Sequence, residues 1–149
     1  MADINGIMLQ ASRLQPEISR LLRNSTYNQY DDLSGLEINY GDREQLFLLD
    51  ALRGIMEKLA DVDYIIRYIS QPAIETGRLH KNASGRYETE SGHYYCCGSP
   101  IEALVQDDRY ETPYWVRTSV EHDGKDYYLV GHRDVSLNGL TVRIRKDMR

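Results

Sequence analysis

His93, Cys96 and Cys97 come nearest to a metal or thiol motif, since a histidine and a cysteine three residues apart can share one ion. Zinc needs about four ligands. Adjacent cysteines on a strand point to opposite faces, so only one of this pair could join His93. His80, His122 and His132 have no motif spacing to complete the set, and no metal site is expected. No nucleophile elbow surrounds Cys96, Cys97 or Ser99, and Gly98-Ser99-Pro100 is too short for a phosphate loop and has no lysine after it. Paired carboxylates occur at Asp107-Asp108, Asp31-Asp32 and Asp61 with Asp63, where a solvated loop or helix face is the simpler account. The expectation is a protein that binds rather than catalyses, with no cofactor.

The segments that would position these residues divide by periodicity. Ile4, Ile7, Ala11, Leu14, Ile18 and Leu21 are spaced 3 and 4 apart in turn, which predicts a helix over about 3–23, kinked or restarted at Pro16. Leu48, Leu52, Ile55, Leu59, Val62, Ile66 and Ile69 repeat the spacing over about 42–70, with Leu49, Met56 and Ile65 on the flank. Asp42 is its expected N-cap, Gln45 sits at the capping-box position, and Pro72 marks the stop. The connection at 24–41 carries Tyr27, Tyr30, Leu33, Leu36, Ile38 and Tyr40, so it is expected to fold back on the helices. Two matched stripes predict an antiparallel helical hairpin over 1–76. The longer helix has more apolar surface than the shorter covers, which leaves room for a homodimer through the helices, although a stripe of this kind is more often core than interface.

After Pro72 the period becomes two. Short Tyr-, Val- and Thr-rich runs alternate with turn signals, among them Asp123-Gly124 and Asn138-Gly139. Residues 77–149 are expected to form a small SH3-like antiparallel β-barrel, so the fold class is α+β. Of the neighbouring tyrosines Tyr94, Tyr95, Tyr127 and Tyr128, one of each pair must face the core.

Charge divides at the same place. Residues 1–76 hold 7 Lys and Arg against 12 Asp and Glu, while 77–149 hold 11 of each, so the whole net charge of −5 belongs to the helical part. An acidic surface favours basic protein surfaces over phosphate backbones. No apolar run approaches a membrane span, and the start MADINGIMLQASRL lacks a basic leader, so a cytoplasmic protein is expected.

The strings GRYE (85–88), CGSPIEAL (97–104), WVRTSVEHDGKDYYLVG (115–131) and LNGLTVRIR (137–145) resemble, in order, a family of short domains of unknown function from Gram-positive bacteria and their mobile elements. The likeness spans about 77–146 and leaves the helical part out. It implies turn or bulge roles for Gly85, Gly98, Pro100, Gly124, Gly131 and Gly139, and barrel filling by Trp115, Tyr128, Val130 and Ile144. It brings no catalytic motif. The setting it implies is a small protein acting on host defence or on an element's transfer machinery.

The leading expectation is therefore an inhibitor of a host defence nuclease, anti-CRISPR in type. It would engage a Cas nuclease or its guide-RNA complex with Asp31, Asp32, Glu37, Glu57, Asp61 and Asp63 as phosphate substitutes. A second reading is a nucleic-acid-binding accessory protein of plasmid or conjugative-element maintenance, using Tyr94, Tyr114, Arg117, Arg143 and Arg145 for bases and phosphates. A third is a dimeric adaptor.

Overall fold

Proline and capping chemistry set the first helices. Asp3 caps α1 (Ile4–Ser12), its carboxylate accepting from the Gly6 amide at 2.7 Å. Pro16 cannot donate a backbone hydrogen bond, and a new helix, α2 (Gln15–Asn24), starts with it in the first turn. Arg13 and Leu14 between them keep right-handed helical backbone, so α1 and α2 make one interrupted rod. A single turn, α3 (Tyr27–Tyr30), leads to α4 (Arg43–Ser70), capped by Asp42 through the Glu44 and Gln45 amides. Gln45 does not close a box on Asp42; its Oε1 accepts from the Asn39 amide at 2.8 Å. The computed structural model describes residues 2–30 and 32–146.

The chain splits into two compact units, Met1–Gln71 and Pro72–Arg149. The division precedes residue 77 because a strand begins at Ala73.

In the first unit α2 and α4 run antiparallel: Gln15 meets Asp63, while Ser25 meets Met56. The core is Ile18, Leu22, Leu33, Leu49, Met56 and Ile66, with Tyr27, Leu36, Ile38, Leu52, Leu59 and Ala60 packed around it. The connection does fold back, although Tyr40 stays exposed. Gly35 presses so closely on Thr26 that a Cβ there would lie 2.5 Å from its hydroxyl.

The rotation of α4 differs from the heptad expectation. Leu49 and Met56, expected on the flank, are buried, while Leu48, Ile55 and Val62 are exposed. Leu52, Leu59 and Ile66 of the expected seam do meet the core, so the repeat holds and the inward face is shifted toward the flank of Leu49 and Met56.

In the second unit β1 (Ala73–Arg78), β5 (Pro100–Val105), β6 (Tyr114–His122), β7 (Tyr127–Leu129) and β8 (Thr141–Arg145) form an antiparallel sheet in the order β1-β8-β5-β6-β7. The two-residue strands β2 (His80–Lys81), β3 (Tyr87–Glu88) and β4 (Tyr94–Tyr95) form a second sheet. Among the described residues no closed SH3-like barrel forms: β1 and β7 are edges of one sheet, and β2 to β4 are too short to bridge them. One apolar cluster still joins both sheets, with Leu79, Tyr87 and Tyr95 beside Ile101, Ala103 and Val142. Tyr95 faces in and Tyr94 out, as their adjacency requires. Gly124 and Gly139 have φ of 93° and 78°, the left-handed backbone their turns need. Of the four expected core fillers, Ile144 is buried, whereas Trp115 and Tyr128 lie beneath Arg143 and Arg133 and Val130 is exposed.

The rotation of α4 has a direct test in chemical denaturation. Met56→Ala empties a fully buried site and is expected to cost about 2–5 kcal/mol, while Phe47→Ala, on the solvent side, should cost less than ~1 kcal/mol. Equal losses would contradict the observed face.

Candidate functional site

Helical periodicity gives α4 three separate surfaces. Leu49, Met56 and Asp63 lie on the inner face, Asp63 and Met56 against the two ends of α2. Asp63 is held from two sides: Gln15 Nε2 donates to Oδ1 at 3.0 Å and Arg67 Nε to Oδ2 at 2.8 Å. Arg67 also donates to Ser19 Oγ at 3.1 Å, so the polar cluster spans both helices.

Leu48, Ile55 and Val62 form a second, exposed row at seven-residue spacing. Leu59, one turn from both Ile55 and Val62, joins Leu14, Ile18 and Leu21 in lining a groove of about 510 Å³. Glu17 and Arg20 border the groove and pair with each other at 2.7 Å. The groove is apolar with a neutralised rim.

The third surface is acidic. Glu57 and Asp61, one turn apart on the side of α4 largely opposite the apolar row, are exposed and make no hydrogen bond or ion pair among the described residues. Asp50 lies on the same side and pairs with Arg53 at 3.2 Å.

The other expected acidic contacts fare differently. Asp31 lies outside the described residues. The Leu33 amide and Arg53, 3.1 Å away, hold the Asp32 carboxyl below the usual carboxylate range. Glu37 is exposed on the connection. Asp63 is the helix clamp and is mostly covered. Of the carboxylates expected to act together, the structure brings Glu57 and Asp61 into one exposed group and places Asp63 and Asp32 in internal contacts.

The expected basic and aromatic set in the second unit is likewise engaged. Glu102 is 3% exposed in the middle of β5 and receives Arg143 Nε at 2.8 Å and Arg145 Nε at 2.6 Å. Arg143 also lies over the Trp115 ring at 4.4 Å. Arg117 is directly across from Glu102 in the β5–β6 register. Tyr114 donates its hydroxyl to Asp107 at 2.7 Å and meets the Tyr110 ring edge-on. Its hydroxyl pKa is raised, first by that hydrogen bond to Asp107 and then by burial. Tyr94 is the exposed member, with Arg86 over its ring at 5.4 Å.

Sequence reasoning missed Glu102, whose signal was a carboxylate inside the apolar run IEALV. Among the described residues no three His, Cys, Asp or Glu side chains are grouped to hold a metal. Cys96 Sγ lies 3.6 Å from Ser99 Oγ, Cys97 is exposed, and His93 packs edge-on against Tyr95. No helix among the described residues is long and apolar enough to cross a membrane.

Comparison with known families identifies the strand-rich part. Residues 77–144 match the family model of a domain of unknown function, DUF5348. The DUF5348 match begins inside β1 and ends inside β8, so it holds the whole Glu102 cluster except Arg145 and none of the helical surfaces. No curated protein and no solved structure shows a significant match to the chain.

Because Glu102 sits between two guanidinium groups in the sheet, its removal leaves partly buried positive charge uncompensated. Glu102→Ala should cost about 3–5 kcal/mol in urea denaturation, and Glu102→Gln should also destabilise by losing the charge-assisted bonds. Wild-type stability in both variants would contradict a structural role.

Proposed function

We propose that this chain is a non-enzymatic binding protein whose helical unit carries the contact, with the exposed carboxylates of α4 as the recognition group. The observation behind this reading is the Glu57 and Asp61 pair: two carboxylates one helical turn apart, without partners among the described residues, in the unit that holds most of the chain's net charge of −5. Carboxylates at i and i+4 have Cβ atoms about 5–6 Å apart and present a short row of negative charge on a rigid element. Such a row complements a cleft built for a phosphate backbone.

The specific form proposed is an inhibitor of a host defence nuclease, anti-CRISPR in type. It would occupy the nucleic-acid channel of a Cas effector or of its guide-RNA complex. The mobile-element setting implied by the sequence resemblance supports this choice of target. Direct nucleic-acid binding by the second unit draws less support, because Arg143 and Arg145 are already engaged by Glu102.

DNA cleavage by a panel of Cas nucleases in the presence of the chain tests the proposal. Inhibition of at least one nuclease is expected, falling as salt rises, and the double variant Glu57→Gln/Asp61→Asn should weaken it by ~10-fold or more. Salt-insensitive inhibition, full potency in the double variant, or no inhibition across the panel would count against the reading.

A further inference from the structure

We infer that the apolar row of the helical unit is the interface for a second copy of this chain, pairing the two helical units as a four-helix arrangement. The inference does not depend on the acidic surface or on the identity of any other partner. It starts from six side chains: Ile7, Leu14 and Leu21 on the α1–α2 rod, and Leu48, Ile55 and Val62 on α4. Both rows keep seven-residue spacing, and all six side chains are between 40% and 57% exposed.

A repeat of seven is the spacing that keeps one helix face against another along its length. Inside this unit Leu49 and Met56 keep that spacing and share one buried cluster with Ile18 and Leu22. The second set satisfies nothing within the described part of the unit. Two antiparallel helices, each with an inner and an outer apolar row, are half of an up-down four-helix bundle.

Area favours a second copy. The six side chains expose roughly 500 Å² of aliphatic surface, and a stable interface of ~800 Å² per partner that is about 65% apolar contains the same amount. The groove lined by Leu14, Ile18, Leu21 and Leu59, about 510 Å³ in volume, can receive side chains from the opposing row. A two-fold axis makes this self-complementary, because each copy supplies both row and groove.

Charge points the same way. Two acidic helical units, from chains of net charge −5, would repel if their acidic faces met. The borders of the groove instead carry Glu17 and Arg20 paired with each other, and Glu57 and Asp61 lie on the far side of α4. Pairing through the apolar rows leaves the acidic surfaces of both copies outward and apart.

Sedimentation equilibrium or light scattering on the full chain tests this. The expected species has twice the 17.3 kDa chain mass. Leu21→Glu and Ile55→Glu, each placing a charge in the row, should give monomers with unchanged helical circular dichroism. Phe47→Glu, on an exposed part of α4 off the row, should leave the dimer intact. If a charged variant fails to fold, Leu21→Ala/Ile55→Ala is the substitute, with self-association weakened ~10-fold or more. A monomer at concentrations on the order of 100 µM, weaker than typical specific association, would overturn the inference. So would a dimer that survives all the row substitutions.

Discussion

Asp63 and the side chains around it fix how α4 is rotated against α2. Both carboxylate oxygens are occupied, one by Gln15 across the helix pair and one by Arg67 on the same helix, which itself reaches Ser19. A mostly covered carboxylate is costly when unpaired, so a rotation that took Asp63 away from Gln15 and Arg67 away from Ser19 would sacrifice both contacts. The apolar core agrees with this choice: Met56 and Leu49 lie along the same face and share one buried cluster with Ile18, Leu22 and Leu33. The remaining surfaces follow from it. With that face inward, Leu48, Ile55 and Val62 are exposed on one side and Glu57 and Asp61 on another.

The second unit is organised by a buried charge of its own. Glu102 sits in β5 between β6 and β8, and its carboxylate is almost wholly removed from water. That position is tolerable because Arg143 and Arg145 supply charge-assisted hydrogen bonds and Arg143 is itself stacked on Trp115. The arrangement fixes side chains across neighbouring strands. It also gives the arginines of this sheet face an internal duty, which moves the search for a contact surface toward the helical unit.

The sequence made the periods legible but not the pairings. The 3.5-residue repeat located α4, Asp42 was legible as its cap, and alternation required one of Tyr94 and Tyr95 to face inward, as Tyr95 does. Neither could choose between two adjacent apolar faces. Leu48, Ile55 and Val62 match the heptad as well as Leu49 and Met56 do, and the deciding group was polar: Asp63, which looked like one of several solvated carboxylates. Barrel closure failed for a related reason, since alternation reports which side of a strand faces in but says nothing about which edges meet. Arg143 and Arg145, expected as contacts for bases and phosphates, are instead held within the sheet. Their partner Glu102 was hidden in an apolar run, and only the β5–β8 register brings them together.

The central claim is the rotation of α4, and a double-mutant cycle on Gln15 and Asp63 tests it directly. These residues are 48 positions apart and touch only if Asp63 faces α2. Gln15→Ala, Asp63→Ala and the double variant, compared by urea denaturation, should show a coupling of about 0.5 kcal/mol or more. Additive losses, within ~0.3 kcal/mol, would mean that Asp63 does not face Gln15 and that another face of α4 forms the core.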